Sequence, residues 1–285
     1  MRSAPDPLVE ASRTDPVARA VLVDWLEEHG HPHWAAWLRS DARGDARRNE
    51  LARALKRSGL RLRDPRPDAT RGSARDPEPR WFRLDEPFDG PFLHSLAWTV
   101  RDPALLRVLL AFPPFALATR VHLASWRPRS AIPTVLAELG SRRPGVRHLD
   151  VLDVPVPLAA LAPFTGLEGL GMRLDGSGPA ELSVKHLCIR TLQPADLEAW
   201  VDVRTPGLEM LEIHRVPGPL TWDPSLLAPA RMAALLDRPA HTVWIDRTLF
   251  GHYRDTIDRR RARVGLLPRR RALDETPEPR WTVLA

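Results

Sequence analysis

The chain has 285 residues, 43% of them hydrophobic, a formal charge of +6 and a single cysteine, Cys188. That length supports one or two domains of roughly 100–200 residues with a sizeable core, and one cysteine excludes an intramolecular disulfide, which fits a reducing compartment. The first residues lack the apolar core of about 7–15 residues that a secretory signal needs, and no stretch approaches about 18 uninterrupted apolar residues, so a soluble, cytoplasmic protein with no membrane partner is expected.

The positive charge is almost all arginine, lysine occurring only at Lys56 and Lys185. A basic chain points to an acidic partner such as nucleic acid. Against that, 30 prolines and much alanine give the composition the look of a GC-rich coding bias, and one tyrosine with seven phenylalanines supplies a base-stacking platform poorly, although ten tryptophans could contribute.

The first predicted element is a helix capped by Thr14 or Asp15, with Pro16 in its first turn. Val17, Ala18, Val21, Leu22, Trp25 and Leu26 fall on one helical face and are expected inward. Gly30 stops this helix and Pro32 starts the next, which turns Trp34, Trp37 and Leu38 inward. A third apolar frame, Leu51, Ala54 and Leu55, ends at Gly59. Residues 1–59 therefore read as a small helical module whose tryptophans are core anchors. His29, His31 and His33 are spaced by two and interleaved with Gly30 and Pro32. Helical metal sites prefer spacings of three or four, so no metal site is assigned there. Glu27 and Glu28 are adjacent and point apart, which removes them as a paired acid and base.

The stretch "DPVARAVLVDWLEEHGHP" resembles the bacterial repeat-companion domain. The resemblance rests on Asp15, Arg19, Asp24, Trp25, Leu26, Glu27, Glu28, Gly30 and Pro32. His31, Trp34 and Ala35 stand where that family usually has an acid before the proline and a Gly-Glu pair after it. The resemblance covers about the first 40 residues and implies an architecture, a helical module with repeats to follow, rather than an activity.

Residues 60–80 are rich in Arg, Asp and Pro and read as a linker. "PEPRW" occurs at 77–81 and again at 277–281, followed by "FRL" and "TVL"; one reading is a pair of similar edge segments at opposite ends of the second domain, the other is coincidence in a Pro/Arg-rich chain.

From residue 90 an apolar pattern φ-x-x-φ-x-φ recurs. Its instances are Leu93/Leu96/Trp98, Ala118/Val121/Leu123, Val146/Leu149/Val151, Leu167/Leu170/Met172, Val184/Leu187/Ile189, Leu208/Leu211/Ile213 and a weaker Ala240/Val243/Ile245. Their spacing of roughly 17–32 residues brackets the usual leucine-rich repeat length. Each ends in a short strand of period two. Helix-like segments such as "AIPTVLAELGS", "PLAALAPF", "PADLEAWVDV" and "PSLLAPARMAALLD" fall between them. "VRHLDV", "LEGLGM", "VKHLCI" and "LEMLEI" resemble the strand half of the leucine-rich repeat family. The asparagine or cysteine that usually follows is replaced by Val154, Asp175, Leu192 and Val216. The expected fold is α/β: the helical module, then a degenerate leucine-rich-repeat-like solenoid with a parallel strand face over 81–265, then a basic tail over 266–285. An ordinary α/β domain is the alternative.

In such a solenoid the residues alternating with the buried ones line the concave face. This makes His148, Asp150, Arg173, His186, Arg190, Glu212 and His214 the candidate surface for a protein partner, with charges setting specificity. Cys188 beside His186 raises a nucleophile and base, but no nucleophile motif, phosphate loop, dinucleotide fingerprint or H-E-x-x-H accompanies them. No catalytic residue, metal or cofactor is assigned, and the chain is read as a non-enzyme. The segment 250–271 is arginine-rich. Phe250, Tyr253, Ile257 and Val264 are expected inward on a capping helix, and Arg254, Arg259, Arg260, Arg261 and Arg263 form the candidate nucleic-acid surface by phosphate contact.

Overall fold

The computed structural model describes residues 6–42, 46, 49–50, 53–54, 57, 61–63, 88–89, 92–93, 95–100, 115, 118–125, 131–143, 145–176, 180–215, 227–260, 264–266 and 282–284. They form two compact units. One comprises Met1–Pro67, Leu84–Val146 and Pro279–Ala285, the other Asp68–Arg83 and Arg147–Glu278. The expected repeat region 81–265 is thus divided between them. Leu51, Leu55, Gly59, both copies of "PEPRW", Arg261 and Arg263 lie outside the described residues. No helix among the described residues is long and apolar enough to cross a membrane.

The first unit opens with helices α1 (Asp6–Ala11), α2 (Pro16–Glu28) and α3 (Pro32–Arg39). Asp15 caps α2 by accepting from the Val17 amide at 2.8 Å, with Pro16 in the first turn. Arg19 reaches back to the end of α1, donating from Nε to the Ser12 carbonyl and from Nη2 to that of Arg13, both at 3.0 Å. The turn from α2 to α3 is a Schellman motif: the His31 amide donates to Leu26 O at 2.7 Å and the Gly30 amide to Glu27 O at 3.1 Å, with Gly30 at φ +78°. Across the hairpin Arg39 grips both oxygens of Glu27 and lies 3.9 Å from Asp24. This hydrogen bond holds the Glu27 carboxyl below its usual value. Leu22, Val23, Leu26, Trp34, Ala35, Trp37 and Leu38 are buried. One face differs from expectation: Val17 is 71% and Val21 50% exposed. The side of α2 turned to the core runs through Leu22, Val23 and Leu26, and the valines fall on the opposite flank.

The same unit contains β1 (Arg61–Arg63), β2 (Phe88–Asp89), β3 (Phe92–Leu93), β4 (Ser95–Val100), β5 (Arg120–Ser125) and helix α4 (Ala131–Arg142). The chain's end returns as a strand, Thr282–Leu284, which is antiparallel to β1 and parallel to β4. β4 in turn runs parallel to β5. Residues 61–63 of the expected linker and 282–284 of the expected tail are therefore strands.

The second unit runs through β6 (His148–Val156), a 3-10 turn (Leu158–Leu161), β7 (Gly169–Leu174), β8 (Ala180–Glu181), β9 (His186–Thr191), helix α5 (Pro194–Val201), β10 (Val203–Arg204) and β11 (Met210–Arg215). Helix α6 (Pro229–Leu236), β12 (Thr242–Ile245), α7 (Arg247–His252), α8 (Arg254–Arg260) and β13 (Val264–Leu266) complete it. Its sheet order is β6-β7-β9-β11-β12-β13, all parallel. Leu149 pairs with Leu170, Leu170 with Leu187, Leu187 with Leu211 and Leu211 with Val243, so the recurrent apolar position lies in one row. At the strand entries one carbonyl accepts two consecutive amides of the next strand. Arg147 O takes Glu168 and Gly169, Glu168 O takes Lys185 and His186, Lys185 O takes Glu209 and Met210, and Glu209 O takes His241 and Thr242.

Of the four residues expected inward on a capping helix, two are buried and two half-buried. Tyr253 and Ile257 are buried, and the Tyr253 hydroxyl donates to Leu227 O at 2.9 Å. Phe250 and Val264 are half-buried; the residues up to Arg260 form two short helices rather than one, and Val264 opens β13.

Gly30 is a test of the hairpin. A Cβ there meets nothing within 4 Å, so Gly30→Ala costs only the left-handed backbone, about 1–2 kcal/mol. Gly30→Asn should lose less, as measured by urea denaturation.

Candidate functional site

Successive strands of the second unit place three rows of polar side chains on the sheet face opposite the leucine row. Pairing puts Asp150, Gly171, Cys188, Glu212 and Trp244 side by side. On one side of this row stand His148, Gly169, His186, Met210 and Thr242, and on the other Arg190 pairs with His214.

Six of the seven residues expected to line an open concavity are buried: His148, Asp150, Arg173, Arg190, Glu212 and His214. His186 is half-buried. The expectation of a solvated strand face is corrected on this point. Parallel sheets are commonly covered on both faces, and here burial is made tolerable because the charges neutralise one another.

Arg190 Nε and Nη2 donate to Asp150 Oδ1 and Oδ2 at 2.9 and 2.8 Å, a bidentate pair with both side chains fully buried. β6 and β9 are two strand spacings apart, roughly 10 Å, and the guanidinium bridges them across β7. On that strand the residue in register with Asp150 is Gly171, which puts no side chain in the path. Arg173 donates through Nε and Nη2 to Asp196 Oδ1 at 3.1 and 2.9 Å. The other oxygen of Asp196 accepts the Leu192 and Gln193 amides at 2.7 and 2.9 Å. Asp196 thus caps α5, and it occupies the amide of Leu192, one of the positions where a leucine-rich repeat would carry asparagine.

His214 Nε2 lies 2.6 Å from Glu212 Oε2. Cys188 joins this pair: one ligand atom from each of Cys188, Glu212 and His214 lies within 4.8 Å of the others, and all three residues are buried. His214 Nδ1 is buried with no hydrogen-bond partner among the described residues. His186, the base considered for Cys188, instead stacks with His148 at 6.3 Å between ring centroids. Burial pushes the His186 imidazole below its usual value, against the opposing pull of Glu209, Glu168 and Glu212. Sequence reasoning had Cys188 and Glu212 in the same column of the repeat pattern. It treated that column as partner-facing and so did not join them as one cluster.

Among the candidate arginines, Arg254 and Arg259 are exposed on α8. Asp255 and Asp258 interleave them, with Arg254 Nε 3.7 Å from Asp258 and Arg259 Nε donating to Asp255 O at 2.8 Å. Arg259 also borders a groove of about 610 Å³ with Thr256, Asp237, Pro229, Ala230 and Ala233. Asp258 therefore offsets Arg254, whereas the bond of Arg259 is to a backbone carbonyl. Elsewhere in the unit Arg238 is buried, donating to Thr205 Oγ1 at 3.2 Å and to Trp200 O, and burial pushes it down to about 10.

No protein family, curated protein or solved structure matches this chain.

Two outcomes test this site. Removing one partner of a buried pair strands a charge, so Asp150→Ala should cost about 3–5 kcal/mol, and the double variant Asp150→Leu/Arg190→Met should cost less than either single change; urea midpoints decide this. The depressed values of His186, His31 and His33 mean that the unfolded chain binds more protons below pH 6.5. Stability present above that pH should therefore fall as pH drops through the lower folded values, and His186→Gln should flatten the slope between pH 7.5 and 5.5.

Proposed function

We propose that this protein is a non-catalytic recognition or scaffold protein: a repeat-companion-like helical module followed by degenerate leucine-rich-like repeats, binding a protein partner. The in-row leucines and the repeated two-amide carbonyls support the repeat reading, since each unit meets its neighbours through the same contacts. The strand-face charges are turned inward, so this reading takes a surface outside that face for the partner.

The observation that carries this reading is the outer face of α2. Pro16, Val17, Ala20 and Val21 are all exposed and follow one helical stripe. Beside it lies a cleft of about 260 Å³ lined by Pro16, Arg19, Ala20, Val23, Asp24, Leu38 and Arg39. Contiguous exposed apolar side chains rimmed by charge suit a protein interface. We rank nucleic acid second, because Arg254 and Arg259 are interleaved with Asp255 and Asp258.

The test is capture from host lysate by tagged wild type and by Val17→Asp/Val21→Asp, each with and without nuclease. The expected outcome is a protein that survives nuclease, tolerates 200 mM salt and is lost with the double variant. A nuclease-sensitive catch that ignores the valines and weakens about a thousandfold between 50 and 200 mM salt would move the assignment to Arg254 and Arg259.

A further inference from the structure

We propose that Cys188, Glu212 and His214 form a binding site for a divalent metal ion of the zinc class, clamping β9 to β11. The residues come from two paired strands: Glu212 stands directly opposite Cys188, and His214 follows two positions later on the same face. Period two along β11 and direct pairing across to β9 bring three side chains of different ligand chemistry to one point, their ligand atoms within 4.8 Å of one another.

The donor set is selective. Thiolate, imidazole and carboxylate together suit zinc, whereas an oxygen-only set would suit magnesium or calcium. Zn–N of about 2.0 Å and Zn–S of about 2.3 Å place tetrahedral ligands about 3.3–3.6 Å apart. With the ligand atoms within 4.8 Å of one another and His214 Nε2 only 2.6 Å from Glu212 Oε2, an ion is admitted when the histidine–glutamate contact opens and the sulfur stays or moves inward, each by no more than about an ångström. Three protein ligands leave the fourth position to water.

Charge balance also favours the assignment. The site is fully buried, and a buried charge must be matched. A divalent ion held by the Cys188 thiolate, the Glu212 carboxylate and a neutral His214 gives a net charge of zero. Binding forms metal–sulfur, metal–nitrogen and metal–oxygen bonds and releases one proton, that of the Cys188 thiol; a neutral His214 keeps its single ring proton on the nitrogen that does not bind the ion.

The test uses the full chain, without thiol reductant, titrated with Co²⁺ as a spectroscopic stand-in for Zn²⁺. The expected result is one cobalt per chain, with a thiolate-to-cobalt charge-transfer band and the intense visible bands of tetrahedral cobalt. Since Cys188 is the single cysteine of the chain, that band can arise only there. It should vanish in Cys188→Ser, and affinity should fall roughly tenfold or more in His214→Gln. It should persist in His31→Ala/His33→Ala, which removes the histidine-rich turn as a competing site. Zn²⁺ should raise the wild-type melting temperature and leave that of Cys188→Ser unchanged. Should either site variant fail to fold, the wild-type spectrum and stoichiometry decide alone. An octahedral spectrum, no thiolate band, or one cobalt shared by two chains would overturn the proposal.

Discussion

The second unit depends on one ion pair. Asp150 and Arg190 are both fully buried, and each would be intolerable there without the other. Their bidentate contact crosses an intervening strand, so it fixes the spacing of three strands at once. It also bears on sequence at a distance: β7 carries glycine at 171, in register with Asp150 on the face that the guanidinium crosses. The second buried pair, Arg173 with Asp196, joins β7 to α5 and simultaneously caps that helix. Together these pairs take a face that resembles a charged surface and make it interior.

The helical module follows the same economy. Nearly every position that carries the resemblance to the repeat-companion domain has a structural task. Asp15 caps α2, Arg19 closes the end of α1, Asp24 and Glu27 receive Arg39, and Gly30 makes the turn. Trp25 stacks on His29 at 4.0 Å, and the ring of His29 bonds back to the Trp25 carbonyl. A motif built this way defines a shape. It leaves the outer stripe of α2 free to vary.

Much of this architecture is legible in the sequence. The φ-x-x-φ-x-φ pattern locates all seven of its strands, because period-two burial leaves a local trace in the chain. The α2–α3 turn is equally legible, since Gly30 and Pro32 act locally. The fate of the polar face is not. Whether Arg190 meets water or Asp150 is settled by a residue 40 positions away, and composition carries no record of that distance. The orientation of Val17 and Val21 is hidden for a related reason: α2 has apolar residues around most of its circumference, so periodicity alone does not choose the buried side. The Thr282–Leu284 strand is illegible because three residues carry no period at all. The Cys188–Glu212 juxtaposition lay within reach, since aligning the repeats puts them in one column; only the assumption that this column faced solvent concealed it.

The strand formed by Thr282–Leu284 also bears on how the protein is made. It pairs with β1 on one side and β4 on the other, so these two strands wait for a segment more than 180 residues downstream of either. Until the ribosome has delivered it, the facing edges of β1 and β4 are open to any other strand in the cell. The second unit draws its sheet partners from neighbours in chain order and can mature during synthesis. The first must hold an unfinished sheet until residues 282–284 have been synthesised.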